Sequence, residues 1–148
     1  MSYGRLNVKP SRKGEETVNS HFQIEKTVQR DQSYIFFLPE NTEWPIGTPA
    51  EKVLTDSDNN AFVYVMDHED GYRYIKFPEH VWPSLVTLLE TGAGEAVLAW
   101  KDQEVVLPGL REELYALLFN IEGNNNYGEQ FTTAVENVFR PILQEAGE

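Results

Sequence analysis

Residues 61–66 read Ala-Phe-Val-Tyr-Val-Met, apolar in character at every position. Side chains alternate along a strand, so this segment would point Phe62, Tyr64 and Met66 one way and Ala61, Val63 and Val65 the other. A strand that is apolar on both faces belongs in the middle of a covered sheet. Asp67-His68-Glu69-Asp70-Gly71 follows as a hairpin loop, and residues 72–77 return as the partner strand. Whatever fold the chain adopts must therefore place this hairpin in its interior and supply cover for it.

The rest of the sequence offers that cover. In residues 21–30, Phe22, Ile24 and Val28 fall on one face and predict a strand; residues 34–38 form a compact apolar run closed by Pro39 and predict a buried one. Residues 39–60 carry Pro39, Pro45, Gly47 and Pro49 and end in Thr55-Asp56-Ser57-Asp58-Asn59-Asn60, so they read as a long connection of turn formers, with Trp44 packing to anchor it. Pro83 can stand only in the first turn of a helix, which puts a helix start near Glu79 or His80. Val81, Trp82, Leu85, Val86, Leu88 and Leu89 give that helix a broad apolar stripe, and Gly92 and Gly94 end it. Residues 95–100 and 104–107 form a second hairpin about Lys101-Asp102-Gln103. Leu110, Leu114, Leu117, Leu118 and Ile121 mark a second helix. Phe131, Val135, Val138, Phe139 and Ile142 mark a third, which Pro141 kinks or ends.

Strands and helices that do not alternate as βαβ units imply an α+β domain. The expectation is a mainly antiparallel sheet of about five or six strands with three helices, the last two forming an αα-hairpin. Residues 1–20 read as a polar, partly basic N-terminal arm in which Leu6 and Val8 could form a short edge strand; residues 21–148 read as a single α+β domain.

Charge and cysteine content narrow the chemistry. The chain has no cysteine, which removes disulfides, thiolate metal sites and cysteine nucleophiles. The net charge of −12 is unevenly spread: the first 30 residues hold six basic against three acidic residues, and the remainder holds six basic against 21 acidic. Such a body repels nucleic acid, whose binding needs clustered Lys and Arg, and it attracts basic partners. No apolar run approaches the roughly 20 residues of a membrane span, and the N-terminus has no apolar signal core, so the expected location is the cytoplasm, without membrane contact.

Candidate sites are few. Gly123-Asn124-Asn125-Asn126-Tyr127-Gly128 joins the last two helical patterns. A helix–helix turn needs one or two residues that tolerate a left-handed backbone. Three asparagines and a tyrosine are a surplus, offering amides and an aromatic face for a partner. Glu122 and Glu129 flank this connector and complement a basic partner; the plainer reading makes the same residues helix caps and one packing ring. A second candidate is an apolar pocket with convergent polar groups near Trp44, Tyr72, His80 and Trp82, as a small-ligand site or unrecognised enzyme would need.

No catalytic residue, metal site or cofactor is expected. Asp56-Ser57-Asp58-Asn59-Asn60-Ala61, with Asp67 at the twelfth place, has a calcium-like spacing but lacks the glycine at the sixth place and the glutamate at the twelfth, and a strand intervenes. His68 sits among Asp67, Glu69 and Asp70, whose carboxylates could make it a weak pH-responsive group or bind a stray cation; the plainer reading is an exposed hairpin tip. Glu15/Glu16, Glu69/Asp70 and Glu112/Glu113 lie in polar stretches or on a helix's solvent side, not in a cleft that would tune a general acid. Gly92-Ala93-Gly94 lacks the lysine of a phosphate loop. Tyr72-Arg73-Tyr74-Ile75-Lys76-Phe77 interleaves aromatic and basic residues as a base-stacking strand would, but within an acidic body.

Residues 56–64, the stretch Glu79-His80-Val81-Trp82-Pro83-Ser84-Leu85, Arg111-Glu112-Glu113-Leu114, and above all Ile121-Glu122-Gly123-Asn124-Asn125-Asn126-Tyr127-Gly128-Glu129 resemble the YjbL-like proteins of Gram-positive bacteria. The resemblance implies a small, uncharacterised cytoplasmic bacterial protein and brings no catalytic residue with it. The leading expectation is a non-enzymatic interaction or regulatory protein with an unknown protein partner. The alternatives are the pocket-bearing ligand binder or enzyme and an acidic mimic of nucleic acid. Exposed strand edges would also allow a homodimer.

Overall fold

A computed structural model describes residues 20–45 and 47–146. The expected N-terminal arm, with its possible strand at Leu6 and Val8, lies outside the described residues apart from Ser20.

The chain is α+β, with eight strands in two four-stranded sheets and four helices among the described residues. The strands are β1 (His21–Gln23), β2 (Lys26–Arg30), β3 (Ser33–Phe37), β4 (Thr48–Asp56), β5 (Ala61–His68), β6 (Gly71–Pro78), β7 (Ala96–Trp100) and β8 (Gln103–Val106). The helices are α1 (Trp82–Thr91), α2 (Leu110–Ile121), α3 (Glu129–Val138) and α4 (Arg140–Ala146). One sheet runs β1-β6-β5-β4 and the other β2-β3-β7-β8. Pairing is mainly antiparallel, as expected, with parallel contacts at β1–β6 and β3–β7.

The structure replaces one sheet by two for a local reason. Residues 21–30 do not form a single strand: the N–H of Ile24 still donates to Lys76 O at 2.9 Å, whereas that of Glu25 donates to Phe37 O at 2.8 Å. The chain leaves one sheet and enters the other between these two residues. The supposed connection 39–60 also contains β4. Its Pro49 disguises it, but β4 is an edge strand whose register shifts between Pro49 and Val53, and Glu51 takes a φ of 54°. Prolines are tolerated at such edges and bulges. The fourth helix arises because Pro141 ends α3: the backbone breaks at Phe139, and proline then occupies the first turn of α4.

The expectation for residues 61–66 holds. β5 lies inside its sheet, and Ala61, Phe62, Val63, Tyr64, Val65 and Met66 are all buried. One core joins the inward faces of both sheets to the helices: Phe22, Phe62 and Ile75 from one sheet, Phe36 and Leu98 from the other, and Trp82, Leu114 and Phe131 from α1, α2 and α3. At its centre Phe62 contacts Trp82 (ring centroids 5.1 Å apart), Phe131 (5.8 Å) and Phe139 (5.7 Å). A smaller cluster of Ile35, Val97 and Ala99 lies on the opposite face of the second sheet.

Candidate functional site

The connector was the sequence's first candidate, and the structure divides it. Asn124 is occupied internally: its Oδ1 accepts from the N–H of Asn126 at 3.0 Å and its Nδ2 donates to Asn120 O at 3.2 Å. Its carbonyl accepts from Thr132 Oγ1 at 2.9 Å, and the Gly123 N–H donates to Glu136 Oε2 at 2.7 Å. These bonds tie the end of α2 to α3, so this part of the connector caps helices. Tyr127 is 9% exposed and packs with the core. Asn125, Asn126, Glu122 and Glu129 are exposed.

What the connector does place is the edge of a groove. A short 3₁₀ turn, Asn125–Tyr127, brings Tyr127, Gly128 and Glu129 against a second 3₁₀ turn, Ser57–Asn59, between β4 and β5. There Ser57, Asp58, Tyr127 and Glu129 border a hollow of about 270 Å³. It adjoins a more open one of about 550 Å³, where Glu129 and Gln130 are joined by Asn60, Glu79, Thr133 and Asn137. Across both hollows the lining carries three carboxylates (Asp58, Glu79, Glu129), three amides and no lysine, arginine or histidine.

Its framework is rigid. Asn60 closes the 3₁₀ turn in the left-handed region (φ 47°), and its Nδ2 donates to Glu79 Oε1 at 3.2 Å, linking the two rims. Behind the turn, Asp56 accepts from Asn59 Nδ2 and Lys76 Nζ, each at 3.0 Å. Burial alone would raise the Asp56 carboxyl, but the bonds from Asn59 and Lys76 outweigh it and hold the group below its usual range. His21 lies close enough to feel both charges; burial first, then the Lys76 ammonium, lowers its proton affinity, and Asp56 raises it less. Below the groove, Phe131 and Phe139 stand on Phe62 and Trp82.

The second candidate set does not converge. Trp82 is buried in α1, where its Nε1 donates to Phe77 O at 2.9 Å. His80 is exposed and bonds Glu25 O at 2.8 Å. Tyr72, 51% exposed, sits at the other end of β6, roughly 20 Å away at strand rise. Trp44 packs against the core from the loop before β4. The Tyr72–Phe77 interleaving also separates: Tyr72, Tyr74 and Lys76 share one face, and Arg73 points with Ile75 and Phe77 toward the core side. Among the described residues no group of three or more His, Cys, Asp or Glu could hold a metal ion.

Reasoning from sequence missed Asn60, Glu79, Thr133 and Asn137 as neighbours of the connector. Thr133 and Asn137 left a trace: with Gln130 they recur at helical spacing as a polar stripe opposite Phe131 and Val135. Asn60 and Glu79 left none, because only the fold brings them there.

Residues 22–139 match UPF0738, a family of unknown function. A UPF0738 protein of Bacillus mycoides is 36% identical over 116 residues, covering 77% of this chain and 94% of the relative. One from Bacillus cereus is 38% identical over the same length, and one from Lysinibacillus sphaericus is 39% identical over 97 residues, covering 66% of this chain and 76% of the relative. No solved structure matches. The expectation of a family of small proteins of unknown function from Gram-positive bacteria therefore holds, but the family is UPF0738 and not the YjbL-like one named from the sequence. No helix among the described residues is long and apolar enough to cross a membrane.

Proposed function

Because the chain belongs to the UPF0738 family, whose own function is unknown, we propose its role from the groove: a non-enzymatic interaction protein of the cytoplasm that receives a basic segment of a partner protein. The observation that carries this reading is the lining: Asp58 and Glu129 border one hollow, Glu79 and Glu129 the adjoining one, with amide side chains and no basic residue in either. Carboxylates and amide oxygens in fixed positions suit the forked donors of arginine and the ammonium of lysine. The surrounding acidic body speeds the encounter of such a partner. Asn125 and Asn126, exposed on the connector beside the groove, extend the same polar surface.

The test is capture from a lysate of the source bacterium with the full chain as bait, at low and moderate salt, followed by titration of the captured protein's basic segment. Glu79→Gln with Glu129→Gln should lose the partner while keeping the wild-type melting temperature. Equal capture by wild type and the double variant would sink the groove as the binding surface.

A further inference from the structure

Two ionised side chains are buried among the described residues, and they are treated differently. Asp56 has Lys76 at 3.0 Å. Arg73, only 8% exposed, has no carboxylate within 4.0 Å among the described residues. It stands on β6 opposite Met66, in line with Ile75 and Phe77, at a position the strand pattern otherwise gives to the core. Its contacts are long: Nη1 lies 3.4 Å from Gly71 O and 3.5 Å from Tyr72 O, and Nη2 lies 3.5 Å from His68 Nδ1. An arginine cannot shed its proton, so the charge stays, and a buried charge without a counter-ion is unfavourable.

His68 lies against the guanidinium. Its Nδ1 accepts from the N–H of Asp70 at 3.1 Å, which leaves the ring proton on Nε2. The same Nδ1 faces the Arg73 guanidinium, so at the base of the β5–β6 hairpin the ring stands beside the charge as an acceptor, with its Nε2–H directed away from it. The acids nearby set the kind of anion. Asp67 pairs with Tyr72 and so lies on the other face of the sheet, whereas Glu69 and Asp70 are exposed at the turn and Asp70 Oδ2 is 3.7 Å from His68 Nδ1. Their charge opposes a dianion more than a monoanion.

We propose that Arg73, with His68 beside it, forms a binding site for the carboxylate group of a small organic acid. The fork of the guanidinium matches the two oxygens of a carboxylate, and the ligand would supply the counter-charge that the described chain withholds. This site lies at the β5–β6 turn and is independent of the acidic groove.

The experiment uses the full chain, with acetate as probe, phosphate as the competing class, and chloride balancing ionic strength. Thermal unfolding and saturation-transfer NMR of acetate are followed for wild type, Arg73→Met and Arg73→Lys. In chloride, Arg73→Met should melt above wild type, since a buried unpaired charge has been replaced by an apolar chain. Acetate should raise the wild-type melting temperature and give a saturation-transfer signal; Arg73→Met should show neither, and Arg73→Lys only a weakened signal. Phosphate should act less than acetate. Melting of Arg73→Met below wild type in both salts would make the arginine a structural clasp of the hairpin and overturn the proposal. An acetate response unchanged in Arg73→Lys, or absent from wild type, would overturn it too, and a larger response to phosphate would overturn the assignment to carboxylates.

Discussion

The floor of the groove and its rim are built from opposite materials. The floor is the ring cluster of Phe62, Trp82, Phe131 and Phe139, each in contact with at least two of the others and each fully buried. The rim is Asp58, Glu79, Glu129 and amide side chains carried by turns and by one face of α3. Aromatic burial contributes stability in proportion to area removed from water, whereas exposed charges contribute little to it. The floor should therefore answer to melting experiments and the rim to binding experiments.

The largest expected effect tests the floor. Trp82→Ala empties the centre of the cluster and removes the Nε1–H bond to Phe77 O, and should destabilise the fold by about 4 kcal/mol in urea unfolding. A loss no larger than that of a surface substitution would mean the cluster does not carry the groove.

Between floor and rim stands the Asp56–Lys76 pair. Asp56→Asn leaves Lys76 half-buried without its partner and should cost about 3 kcal/mol at neutral pH. The folded carboxyl titrates below its unfolded value, so the stability it contributes is present above about pH 4 and is lost as pH falls through the folded value. The difference between wild type and Asp56→Asn should accordingly shrink in acid; a pH-independent difference would remove the pair's role in holding the turn.

Tyr64 gives a smaller effect with the opposite sign in pH. Its hydroxyl donates to Pro108 O at 2.5 Å and ties β5 to the start of α2; burial, the main cause, pushes its pKa up to about 12. Tyr64→Phe should lose about 1 kcal/mol at neutral pH. Because the folded value is raised, the tyrosine's stabilisation is intact below about pH 10 and is lost as pH rises toward the folded value, a loss Tyr64→Phe should lack. Parallel alkaline curves for the two proteins would contradict this.

The smallest effect on stability belongs to the rim. Glu129→Gln should change unfolding free energy by no more than about 0.5 kcal/mol while weakening partner capture. A large loss of stability would mean that Glu129 supports α3 through the helix dipole and that the floor–rim distinction fails there.

Much of this was legible in the sequence because it rests on local rules. The double-faced apolarity of residues 61–66 required an internal strand, and β5 is one. Pro83 fixed a helix start that the structure places at a 3₁₀ turn leading into α1, and Pro141 ended α3. The connector's role as a junction between two helices followed from its glycines and asparagines. The harder features depended on neighbours far along the chain. The sheet switch at Ile24–Glu25 is decided by which backbone each N–H meets, Lys76 or Phe37, and period alone cannot tell one partner from another. β4 was hidden because proline signals a loop until one knows the strand lies at an edge.

The sequence by itself determined the α+β class, the buried hairpin, the two helices flanking the connector and an acidic chain without thiol chemistry. These depend on residue type and on periods of two and 3.6, which act within a few residues. Only the tertiary structure decided that the connector's Asn124 is spent on capping, that Asn60 and Glu79 meet Glu129 across a groove, and that Arg73 faces the core side with no carboxylate within 4.0 Å among the described residues. Those are outcomes of long-range pairing, in which two sheets and a helical layer bring together side chains that no spacing along the chain relates.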